Sequence, residues 1–217
     1  MNLEIYKSVM RWTIEKSYPD YLWNSIFKRI ASKGLIINDG RRSKTEGILD
    51  LTVFKDNTQK LKCLFDNLNS IVKNCEEFEY DRGYRYSTLY KYKQINRDKL
   101  EGLIQCGKMI PFTEDDQPND MLITHIAYPT VKYDNNKIYL KFSLELRSKL
   151  EDQRNLKHTI LTVINLDNKT IEVRQDIIPL EYKLNEKAYV SNVKSVRSWL
   201  ETQLEVHVEE IDLQAIT

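Results

Sequence analysis

The chain has 217 residues, 41% apolar and 30% charged, which is the composition of a globular protein rather than a disordered or fibrous one. Lys and Arg number 33 against 32 Asp and Glu, so the total charge does not advertise a polyanion partner. Six Gly and five Pro leave little material for Gly-rich phosphate loops, and no apolar run approaches the ~20 residues of a membrane-crossing helix.

In chain order, Asn2 is placed to cap a helix whose apolar residues Leu3, Tyr6, Val9, Met10 and Ile14 recur at three and four. A second helix starts at Pro19, carries Leu22, Trp23, Ile26, Phe27 and Ile30 on one stripe, and stops at Gly34. The pair reads as an amphipathic hairpin packed on the rest of the chain. It is also similar to the front of a helix-turn-helix, without the third helix of a winged helix. A strand is expected over residues 48–54 and a helix over 58–73.

Residues 78–92 hold the most distinctive local pattern. Tyr80, Tyr84, Tyr86, Tyr90 and Tyr92 fall on even positions, and Arg85, Ser87, Leu89 and Lys91 on odd ones. A period of two is the strand period. With a tight turn at Asp81-Arg82-Gly83, residues 78–80 and 84–92 are expected to pair as a hairpin. Asn96 then caps a short helix ended by Gly107. An acidic connecting loop over 111–120 is the best internal boundary. Beyond it the pattern turns to strands: 121–128, a hairpin about Asp134-Asn135-Asn136, a second hairpin about Asp167-Asn168, and a closing helix over 186–204. Residues 206–213 alternate as an edge strand would.

The expected class is α+β: an N-terminal helical hairpin, a β-α-β-β-α-β middle of ferredoxin-like order, and a β-hairpin-rich C-terminal part closed by a long amphipathic helix. The expected division is 1–110, the loop 111–120, and 121–217, or one continuous domain. Arg82-Gly83-Tyr84-Arg85-Tyr86 resembles the opening of the RNP1 pattern of RNA-recognition motifs, with Arg85 where Gly or Ala stands in that family. The resemblance implies bases stacked on strand aromatics.

Three chemistries are weighed on these residues. The first is nucleic-acid contact through Arg82, Tyr84, Arg85, Tyr86, Lys91 and Lys93, joined by the basic loop Arg41, Arg42 and Lys44. DNA or RNA would be the partner. Its weakness is geometric, because a period of two sends the tyrosines and most of the cations to opposite faces. The second is a Mg-dependent nuclease centred on Glu145, with Asp134 and Arg147. The third is a pure protein–protein interaction or oligomerisation module, with Trp12, Trp23 and Trp199 as core anchors or as interface anchors. No Ser–His, zinc or nucleotide signature is present. The three Cys (Cys63, Cys75 and Cys106) include no closely spaced pair and read as free thiols. The expectation is therefore a cytoplasmic, non-enzymatic binding subunit without cofactor, metal or membrane, acting with a protein or nucleic-acid partner or as a homo-oligomer.

Overall fold

The computed structural model describes residues 2–39, 47–113, 117–149, 154–183 and 187–211. Helix α1 (Leu3–Ser17) begins where Asn2 accepts the Glu4 N–H at 2.9 Å, which satisfies one of the amides that lack an intrahelical partner. Helix α2 (Asp20–Ser32) follows Pro19 and is closed through Gly34 at φ 74°, a left-handed conformation that costs glycine little. Short strands β1 (Ile36–Ile37) and β2 (Leu49–Asp50) pair in parallel, so the strand expected over 48–54 shrinks to two residues.

The helix expected over 58–73 is two helices. Asp56 caps α3 (Asn57–Asn67) through the amides of Thr58 and Gln59. The chain then extends at Leu68 and restarts as α4 (Ile71–Asp81). The break falls in Asn67-Leu68-Asn69-Ser70, where Asn67 bonds back to the Cys63 carbonyl at 2.9 Å. Side chains of this kind offer the backbone an alternative to helical pairing.

Residues 78–80, expected in a strand, belong to α4, and the expected hairpin with 84–92 does not form. Ile71, Val72, Cys75 and Phe78 of this helix are buried at helical spacing. From Leu49 to Pro111 the order is β2-α3-α4-β3-α5-β4, with one helix more and one strand fewer than the ferredoxin-like order. The segment 121–128 contributes a single bridge, Ile123 to Leu144, rather than a strand.

The main sheet has seven strands in the order β4-β5-β6-β7-β8-β3-β9. They are β3 (Tyr86–Tyr92), β4 (Ile110–Pro111), β5 (Thr130–Asp134), β6 (Lys137–Leu146), β7 (Leu156–Asn165), β8 (Thr170–Gln175) and β9 (Val208–Glu210). Both expected C-terminal hairpins form, and Asn135 takes φ 47° in the first turn. Strand β3 inserts between β8 and β9, antiparallel to both, so of the edge strand expected over 206–213 the stretch Val208–Glu210 forms, residues 212 and 213 lying outside the described residues.

The two faces of the sheet differ. Ile138, Leu140 and Phe142 of β6, Ile160 and Ile164 of β7, and Tyr90 and Tyr92 of β3 form one core with Leu100 and Leu103 of α5 (Arg97–Gln105) and with Val196, Trp199 and Leu200 of α6 (Ala188–Gln203). The Trp199 ring meets Phe142 edge-on at 5.2 Å. The opposite face carries α1 to α4, whose own core includes Tyr6, Met10, Phe27, Leu61 and Val72. The protein is thus α+β with helices on both faces of a mixed sheet. No described helix is long and apolar enough to cross a membrane.

Candidate functional site

Period two puts Lys141 of β6 and Lys157 of β7 on the helix-covered face of the sheet, opposite α4. Glu76 and Glu79 stand three residues apart on α4, which places them on one side of the helix. Asp120 arrives from the segment before β5. It is held there because Asn119 accepts the Thr113 N–H at 2.7 Å and Thr130 donates its hydroxyl to Asp120 Oδ1 at 2.8 Å.

These five charged groups converge in the interior. Lys141 Nζ lies 3.1 Å from Glu79 Oε2 and 3.1 Å from Asp120 Oδ2. Lys157 Nζ lies 2.5 Å from the same two oxygens. Two ammonium groups therefore bridge two carboxylates. The other oxygens are also engaged. Tyr18 and Thr159 donate to Glu79 Oε1 at 3.2 and 3.0 Å. Tyr6 donates to Glu76 Oε1 at 2.6 Å. The Asn119 N–H and side-chain amide reach Glu76 Oε2 at 3.0 and 3.1 Å. Burying charge is costly, and only pairing with further hydrogen bonds offsets it; here both conditions are met.

The electrostatics follow. Burial alone would raise Asp120 and Glu79, but the two lysines overcome it and hold both carboxyls below their ordinary range. Burial and Asp120 push Glu76 upward, against the pull of the lysines and of the Tyr6 hydroxyl. Burial would also discharge the lysines, yet Asp120 and Glu79 hold both above the ordinary lysine value. A lysine serving as base or nucleophile needs the opposite shift. The cluster is suited to pinning α4 and the Asn119-Asp120 segment onto β6 and β7.

At the end of α4 the chain delivers Arg82 to a second, connected arrangement. Its guanidinium lies between the rings of Tyr18 and Tyr84, at 4.6 and 4.0 Å from their centroids, and bonds to Asp176 beyond β8. The Tyr84 hydroxyl donates to the Glu79 carbonyl at 2.6 Å. On the solvent side of Tyr18 and Tyr84 opens a cleft of about 700 Å³, lined by Lys16, Tyr21, Arg85, Ile177 and Pro179 among others. Tyr21 is 64% exposed and Leu180, next to Pro179, 80%. Tyr86 is also exposed and packs beside Tyr189 at 5.2 Å.

The described residues expected to contact nucleic acid differ in exposure and in partners. Arg41, Arg42 and Lys44 lie outside the described residues. Arg82 is 5% exposed, bonded through its guanidinium to Asp176 and stacked between two rings. Tyr90 and Tyr92 are core. Lys91 pairs in register with Glu209 across β3 and β9, and Lys93 Nζ is 4.0 Å from the same carboxylate. Only Tyr84, Arg85 and Tyr86, at the start of the stretch, sit at or beside the cleft.

The nuclease triad is spread along the sheet. Asp134 pairs with Lys137 at one end of β6, whereas Glu145 is eight residues further along it, a distance of about 26 Å. Glu145 accepts from Asn155 at 2.9 Å, and Arg147 follows β6. Trp23 and Trp199 are buried, and Trp12 donates to the Tyr182 hydroxyl at 2.9 Å.

The ionic cluster escaped the sequence reading. Lys141 reads as one charge on an alternating surface strand, and Glu76 and Glu79 interrupt the apolar stripe that would have marked α4. The signal that was available is β7, whose run from Leu156 to Ile164 is apolar on both faces apart from Lys157, His158 and two threonines. A charge within a doubly covered strand requires a buried partner. Comparison with protein-family models, with curated proteins and with solved structures finds no match for this chain.

Proposed function

We propose that the protein is a non-enzymatic binding module that takes an extended protein segment, apolar and acidic in character, in the cleft between the α1–α2 corner and the start of β3. The observation that carries this reading is the cleft itself. It is an open concavity walled by Tyr18, Tyr84 and Pro179 and lined also by exposed Tyr21 and Ile177. Exposed apolar groups gathered around a concavity mark interaction sites more often than scattered ones do.

Charge favours an acidic partner. Lys16 rests on the Trp12 ring at 4.8 Å, and among the described residues neither Lys16 nor Arg85 has a carboxylate at ion-pair distance. Asp176, the acid lining the cleft, is committed to Arg82. Complementary charge steers encounter and selects partners. The aliphatic share of the rim and the small number of cations fit a peptide better than a nucleic-acid backbone, which needs a row of phosphate contacts.

The test is selection of random phage-displayed peptides on the purified protein, with an oligo-dT strand offered in parallel. The expected result is enrichment of sequences that combine Asp or Glu with aromatic or aliphatic residues. Their binding should be lost in Arg85→Glu and in Tyr21→Asp, both surface changes. Peptides indifferent to both substitutions would overturn the reading. So would salt-sensitive oligo-dT binding that Arg85→Glu abolishes, which would restore nucleic acid as the partner.

A further inference from the structure

Behind the wall shared by Tyr18 and Asp176 lies a second, much smaller hole, lined by Thr13, Ser17, Arg82, Lys157, His158 and Thr159 among others. It exists because β8 stops short. Strand β8 pairs with β7 only from Ile160 onward, so Lys157 to Thr159 have β6 on one side and no strand on the other. Helix α1 covers this edge, and the Thr13 hydroxyl takes the Lys157 N–H at 2.8 Å. The fit of a helix to an open strand edge leaves about 10 Å³ for the centre of a water-sized sphere, close to what a single water needs.

Two polar atoms of the lining residues have no protein partner among the described residues, Arg82 Nε and His158 Nε2. Their side chains are 5% and 6% exposed. Buried polar atoms are almost always satisfied, so each one left over calls for an explanation.

The chemistry of the pair is specific. Gln175 donates its side-chain amide to the Tyr189 carbonyl at 3.0 Å and accepts from Asn192 at 3.3 Å. The Gln175 side chain is the polar group beside the His158 ring. In the Nδ1–H tautomer, Nε2 of the neutral ring keeps a bare lone pair and can only accept. Arg82 Nε–H can only donate. We propose that His158 takes this tautomer and that the hole is a built site for one oxygen that accepts from Arg82 Nε and donates to His158 Nε2: a water in the free protein, or the terminal hydroxyl of a molecule lying in the adjoining cleft. A carboxylate or phosphate oxygen satisfies Arg82 but has no proton for His158, and it would lie close to Asp176. An ammonium satisfies His158 but opposes the guanidinium. A hydroxyl-type oxygen meets both demands. Bound there, it ties the Tyr18–Arg82–Tyr84 stack, which floors the cleft, to the sheet. The site stands independently of which partner the cleft takes.

The test uses the unmodified, isotopically labelled protein in solution. Nitrogen shifts should show His158 protonated on Nδ1 and bare on Nε2 at neutral pH. The Arg82 Hε proton should show cross-relaxation with a long-lived water. Adding ethanol distinguishes the sources: transfer of the contact to the ethanol methylene shows that the hole is reached from the cleft, and persistence of the water signal shows a permanently held water. A protonated Nε2, the absence of any long-lived water at Arg82 Hε, or displacement of that water by formate would each overturn the proposal.

Discussion

Lys141 Nζ donates to Glu79 Oε2 at 3.1 Å, and both side chains are 0% exposed. One residue comes from the middle of a seven-stranded sheet and the other from a helix laid across it. The bond between them, with Lys157 and Asp120 completing the ring, joins the two halves of the fold through charge. A ring of this kind contributes little net stability relative to apolar packing, but removing one member leaves an uncompensated charge inside.

Replacing Lys157 by Met is expected to cost about 3–5 kcal/mol, because Glu79 and Asp120 would then share Lys141 alone. Urea unfolding of the purified variant measures it. Asp120→Asn removes an anion, and the double variant should be less destabilised than the two single changes summed, by roughly 0.5–3 kcal/mol of coupling. Strict additivity would show that the four groups do not act as a unit.

Stability should fall with acid in two windows. Burial pulls the His158 pKa from 6.5 down to about 4. The unfolded chain therefore binds a proton that the native protein refuses. The stabilisation is complete above pH 6.5 and is lost as pH falls through the native value, by about 3 kcal/mol in all. Below roughly pH 5 the depressed carboxyls of Asp120 and Glu79 add a further loss in the same direction, partly opposed by Glu76, whose pKa is raised. Unfolding midpoints from pH 7 to 4 should decline steadily in the wild type. In His158→Gln the component between pH 6.5 and 4 should vanish. Parallel profiles for the two proteins would contradict the assignment.

Arg82→Lys is predicted to destabilise by roughly 2–4 kcal/mol despite conserving charge. A lysine cannot stack its head between Tyr18 and Tyr84 while bonding to Asp176. Thermal unfolding of Arg82→Lys beside Arg85→Lys makes the comparison. The second change, at an exposed side chain, should leave the transition within about 0.5 kcal/mol of wild type.

The three thiols should separate by reactivity. Burial pushes the Cys75 thiol far above its ordinary value, whereas Cys106 is exposed and Cys63 half-buried. A thiol must be both accessible and ionised to react. With an aromatic disulfide reagent at pH 8, Cys106 is expected to label first, Cys63 more slowly, and Cys75 only on unfolding. Mass spectrometry of timed digests reads the order, and early labelling at Cys75 would mean that α4 opens readily.

Much of the architecture was legible locally. Asn2 and Asn96 cap the helices they precede, and Asn135 turns the hairpin between β5 and β6, because caps and turns depend on a few neighbouring residues. The period of two in residues 86–92 also identified a strand. What local patterning could not supply was anything decided by partners distant in sequence. Two buried glutamates in its stripe hid α4, and the lysines that make those glutamates tolerable come from strands 62 and 78 residues away.

The candidate site divides in the same way. Tyr84 and Arg85, singled out from sequence, line the cleft, whereas Arg82 is buried against Asp176 and Lys91 and Lys93 stand exposed beside Glu209. By itself the sequence determined the class, the caps at Asn2 and Asn96, the two C-terminal hairpins and which residues of β3 share a face. Tertiary structure alone decided that the tyrosine face at Tyr90 and Tyr92 is core, that five charges meet inside, and that a cleft opens beside Arg85. The reason is physical: periodicity records how a side chain is directed from its own backbone, while burial and pairing depend on what the rest of the chain brings to meet it.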